Sequence, residues 1–152
     1  MIFQLLVNGK VPSNVNDAFG TWFDNMSLAN FNILWADDVV KTTIESRLRY
    51  PNGYHEWFKI SQTAIFKSWN ISRAEIQRFR TLTTELEWTV PNDIPDIGGL
   101  PGNHGGTGST TFHNEMDAFI VNCNNLAEFN SELENLLTRW SIPVESLPPF
   151  PE

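Results

Sequence analysis

Between Pro91 and Thr110 the chain carries three prolines, Pro91, Pro95 and Pro101, and six of its nine glycines. Proline removes a backbone donor and glycine resists a fixed conformation, so no long helix or strand crosses such a stretch. Twenty residues without hydrophobic periodicity is long for a compact domain, where such segments are functional or disordered. Regular structure is therefore expected on either side of it.

On the N-terminal side, Ile2 to Val7 reads as a strand ended by the Asn8-Gly9 turn signal. Val15 to Met26 reads as a helix, because Ala18, Phe19, Trp22, Phe23 and Met26 recur at helical spacing behind a Ser13 or Asn14 cap. Gly20 weakens it. From residue 39 the polar Lys41, Thr43, Glu45, Arg47 and Arg49 alternate with Val40, Ile44, Leu48 and Tyr50, a period of two that predicts a strand. Pro51-Asn52-Gly53 then turns it into a second strand over Tyr54–Ile60, making a hairpin. The rival reading is a helix from Asp37 to Leu48, since Val40, Ile44 and Leu48 also lie four residues apart. The length of the alternation favours the hairpin.

Ser72 and Glu75 form a capping box, with Ile71 and Ile76 as its hydrophobic staple, and predict a helix over 72–84. A short strand follows at Glu87–Val90. Beyond the Gly/Pro segment, Met116–Asn122 reads as a buried strand. Leu126, Phe129, Leu133, Leu136, Leu137 and Trp140 then mark an amphipathic helix, capped by Asn125 and Glu128, suited at its end by Arg139 and stopped by Pro143.

These elements define an α+β fold. The order β-α-β-β-α-β matches a ferredoxin-like arrangement, a small antiparallel or mixed sheet with helices on one face, extended by a C-terminal strand and helix. A chain of 152 residues has single-domain size. Residues 1–145 are expected to form that domain and 146–152 an extended proline-rich tail.

Cys123 is the one cysteine, so no intrachain disulfide framework exists. The apolar start Met1–Val7 lacks a basic flank and stops at Asn8-Gly9-Lys10, too short for a signal peptide or a span. A reducing cytoplasmic or virion setting, away from membranes, is the expectation, and the Asn-x-Ser sites at Asn25 and Asn70 then carry little weight. Sixteen asparagines suit an AT-rich genome, and a small acidic domain lacking catalytic motifs fits a phage-encoded protein.

The net charge of −8 is unevenly laid out: −3 over residues 1–40, +5 over 41–80 and −10 from residue 81 onward. Acidity argues against nucleic acid as the main partner. The basic stretch mixes Arg47, Arg49, Lys59, Lys67, Arg73, Arg78 and Arg80 with Tyr50, Tyr54, Trp57 and Trp69, a pattern that can hold single strands or nucleotides. Arg47, Arg49, Trp57 and Lys59 are its candidate contacts, with Arg47 and Arg49 sharing a face of the expected strand. An ordinary solvated face is the plainer reading.

Candidate chemistry gathers around the Gly/Pro segment. On a strand His113, Glu115 and Asp117 point to one face, and with His104 they form a candidate metal or acid–base set. His113 and Glu115 are its catalytic candidates and His104, His113 and Asp117 its metal ligands. No Pro-Cys-x-x-Cys accompanies them, so a zinc deaminase is not indicated. Gly105-Gly106-Thr107-Gly108-Ser109 lacks the lysine of a phosphate-binding loop. No Gly-x-Ser-x-Gly elbow occurs, and nothing beside Cys123 points to an activated thiol. His55 beside Glu56 is expected on the hairpin rim.

The sequence therefore points first to a non-enzymatic interaction or assembly protein without a cofactor, working by surface contact with copies of itself or a larger assembly. Phe150 and the tail are the segment expected to dock on another chain. The alternatives are a small metal-dependent hydrolase on His104, His113, Glu115 and Asp117, and a nucleotide- or single-strand-binding protein on the basic stretch.

Overall fold

The computed structural model describes residues 2–152, so Met1, the first residue of the apolar start, lies outside the described residues. The architecture is α+β, with eight α-helices and two antiparallel sheets of two strands each among the described residues. Among the described residues the strands form two separate pairs and no ferredoxin-like four-stranded sheet. Contacts gather into two compact units, Met1–Asn52 with Phe58–Arg78 and Gly53–Trp57 with Phe79–Glu152.

The first unit is helical: α1 (Ile2–Leu5), α2 (Ala18–Asn25), α3 (Leu28–Trp35), α4 (Asp38–Arg49), α5 (Thr63–Ser68) and α6 (Arg73–Arg78). The expected strand at Ile2–Val7 is thus α1, followed by a lone bridge between Val7 and Lys10 around the Asn8-Gly9 turn. The expected strand over 39–50 is α4. Its alternation coincides with an i, i+4, i+8 stripe, and burial of Val40, Ile44 and Leu48 decides for the helix. Asp37 caps it by accepting from the Val40 N–H at 3.0 Å, and Arg47 and Arg49 complement the dipole in its last turn. Phe19, Phe23, Phe31, Leu34, Ile44 and Phe66 are fully buried in this unit's core.

The Ser72 cap does form, accepting from the Glu75 N–H at 3.2 Å, but α6 stops at Arg78 and not at 84. The residues beyond it are taken by a strand. In the second unit β1 (Tyr54–Glu56) pairs with β2 (Arg80–Leu82), His55 lying opposite Thr81. So Tyr54–Glu56 finds its partner far along the chain, and not in the residues before Pro51.

β3 (Glu87–Thr89) lies where a strand is expected, and pairs with β4 (Pro101–Asn103) from within the Gly/Pro segment. That segment is held by its own backbone: Val90 N donates to Leu100 O at 2.9 Å and Gly99 N to Val90 O at 2.8 Å. It leads through a turn into α7 (Ser109–Asn122), which replaces the strand expected at Met116–Asn122. The reason repeats that of α4, because Phe112, Met116 and Ile120 form a buried stripe at a spacing of four. α8 (Leu126–Arg139) is the helix expected, with Asn125 accepting from the Glu128 N–H at 2.9 Å. It packs on α7, while Trp88, Phe112 and Trp140 stack or meet edge to face with centroids 4.6–5.6 Å apart.

Candidate metal centre

The chain has three histidines, and all three meet in the second unit. His55 comes from β1, His104 from the turn after β4 and His113 from the second turn of α7. Each offers a ligand nitrogen, and these atoms lie within 4.8 Å of one another. The ring centroids are 4.9–5.2 Å apart and the rings meet edge to face.

Local structure sets each ring. Pairing with β2 turns His55 inward, where it is 3% exposed; the rim position expected for it is therefore wrong. Its ring stands on Trp57 at 4.4 Å, and Trp57 donates from Nε1 to the Thr81 hydroxyl at 2.9 Å. His113 Nδ1 lies 2.7 Å from the Ser109 carbonyl oxygen. A carbonyl only accepts, so Nδ1 carries the proton and Nε2 keeps its lone pair. Backbone locking of this kind orients the histidines of metal sites. Burial, and then the neighbouring His113 ring, push His104 below the ordinary imidazole range and favour its neutral, ligating form.

His104 and His113 remain half-buried while His55 is buried, so the cluster combines one enclosed ring with two that solvent partly reaches. At metal–nitrogen distances of about 2.1 Å a tetrahedral ion holds its nitrogens about 3.4 Å apart. The trio, spread over at most 4.8 Å, therefore closes on an ion by at most about 1.4 Å.

The other residues singled out from the sequence lie elsewhere. On a helix Glu115 leaves the face it would share with His113 on a strand, while Asp117, four residues on, stays on the His113 side. Glu115 turns to α8, accepting from Arg139 Nε and Nη2 at 2.9 Å each and from Trp140 Nε1 at 2.8 Å. Burial opposes its charge, but Arg139 and Trp140 hold the carboxyl below its usual range. Arg139 also reaches Asp93 at 2.9 Å, so one guanidinium ties the Gly/Pro segment, α7 and α8 together. Asp117 is not among the convergent ligands.

Neither a protein family, nor a curated protein, nor a solved structure resembles the chain, so its own residues carry the functional argument.

The basic stretch does not assemble as expected. Arg47 and Arg49 stand two apart on α4 and so do not share a face, and Arg47 Nε donates to the Pro12 carbonyl at 2.9 Å. Trp57 is fully buried and offers no surface for stacking. Lys59 directly precedes a short 3-10 turn, Ile60–Gln62. Phe150 packs edge to face on Phe79 at 5.5 Å, and Asn130 Nδ2 donates to the Pro151 carbonyl at 2.9 Å. Burial pushes the Cys123 thiol up, with Glu132 and Glu128 adding to the effect. No helix among the described residues is long and apolar enough to cross a membrane.

Proposed function

We propose that this protein binds a late first-row transition-metal ion through His55, His104 and His113. The observation that carries the reading is the convergence of every histidine in the chain on one point of one unit. Neutral imidazole is the ligand such ions favour among uncharged side chains. The fixed tautomer of His113 and the depressed basicity of His104 both keep lone pairs available.

Binding is favoured over hydrolysis. The hydrolase suggested by the sequence relies on a carboxylate general base beside the ion. Glu115, the carboxylate that the sequence suggests for it, is engaged by Arg139 and Trp140 instead. A role in assembly by surface contact draws on the uneven charge, but the tail that would reach a neighbour is engaged within its own unit. No comparable geometry supports the nucleic-acid reading.

Equilibrium dialysis of the purified chain against cobalt(II) and zinc(II) tests the proposal. The expected result is equimolar binding, with d–d absorption of cobalt(II) in a tetrahedral field. His55→Ala and His113→Ala should each weaken affinity by at least about tenfold. Stoichiometry far below one, or binding unchanged when all three histidines are alanine, overturns it.

A further inference from the structure

Three nitrogens leave a fourth position on a tetrahedral ion. Water can reach the half-buried His104 and His113, but a protein atom already stands beside the buried His55. Met116 is fully buried, three residues after His113 on α7 and hence on the same helix face. Its Sδ lies 3.1 Å from His55 Nε2. With metal–nitrogen and metal–sulfur distances of about 2.0 and 2.3 Å, two ligands of one tetrahedral ion sit about 3.5 Å apart. Sulfur and nitrogen are thus within a few tenths of an ångström of a shared coordination shell.

A buried methionine is usually a filler of irregular core space. Here the thioether is set against an imidazole nitrogen, and leucine would fill the same volume without that contact. Without an ion the pair is an N–H···S contact; when an ion takes the place of that proton, the ring carries its hydrogen on Nδ1.

The geometry points to Met116 Sδ as the fourth ligand and to cuprous copper as the preferred ion. This rests on the three-histidine site proposed above. Thioethers are soft ligands that suit copper(I) and add little for zinc(II), whereas imidazole accepts both. Trp57 and Phe112, packed against the His55 ring, also limit water on that part of the site around the more oxidisable ion.

The test is anaerobic competition of the full chain with a chromogenic copper(I) chelator, run beside zinc(II) competition, for wild type and Met116→Leu. Near-ultraviolet circular dichroism checks that the variant is folded. The expected result is a loss of copper(I) affinity of at least tenfold in Met116→Leu with zinc(II) affinity held within about twofold. Copper K-edge absorption of the wild type should show one sulfur and three nitrogens, a readout that stands even if the variant fails to fold. Equal copper(I) affinity in the two chains, or a copper shell without sulfur, overturns the role of Met116 while zinc binding keeps the histidine site. If the wild type binds neither ion, both proposals fall.

Discussion

Gly102 sits opposite Trp88 in the β3–β4 pair, two residues before His104. A Cβ there would collide with the Thr107 carbonyl oxygen and the Trp88 indole nitrogen. Those two atoms are joined by a 2.9 Å hydrogen bond, so neither yields without breaking it. Gly102→Ala should therefore destabilise the protein by about 1–3 kcal/mol, read as a lower urea midpoint with altered tryptophan fluorescence. An unchanged midpoint contradicts this packing. At the same scale, His104 and His113 were legible as metal-ligating residue types close to a turn-rich segment. His55 was not, because its inward orientation comes from pairing with Thr81, a partner that no local pattern announces.

Among the elements, α8 shows what a strong local signal does. Asn125 accepts from the Glu128 N–H, and the Glu128 carboxylate returns to the Asn124 N–H at 3.1 Å. Asn125→Ala removes the first of these bonds and should cost about 1 kcal/mol, measured by chemical unfolding, while Asn125→Asp should retain most of it. A neutral alanine variant would show that packing on α7 alone fixes where α8 begins. The α8 boundaries, the Ser72 cap and β3 could all be read from sequence, since cap chemistry and amphipathic period agreed there. At α4 and α7 the same apolar residues satisfied both a strand and a helix: Val40, Ile44 and Leu48 have one parity and one helical stripe, as do Met116 and Ile120. Periodicity alone does not separate the two for short apolar runs. Burial on a single helix face does.

For the molecule as a whole, the uneven charge acquires a physical role beside the proposed site. Residues 81–152 carry a net charge of −10, and they all belong to the unit that holds the three histidines. Such surroundings raise the local concentration of cations and speed their encounter with a site. An ion bound only by the folded chain also stabilises it by mass action. At free ion about a hundred times above the dissociation constant, the melting temperature should rise by roughly 5–10 °C and fall back when a chelator is added. Differential scanning calorimetry reads both arms, and at the same free ion the shift should fall to about half or less in His113→Ala. The contact between His55 and Met116 also spans 61 positions of the chain. Closing so long a loop loses entropy before any contact repays it, whereas α7 and α8 draw on neighbours in sequence. The helices can therefore be present in a chain whose three imidazoles are still far apart. Contact order therefore predicts that the site forms after the helices, and ion capture during refolding would time that long-range step.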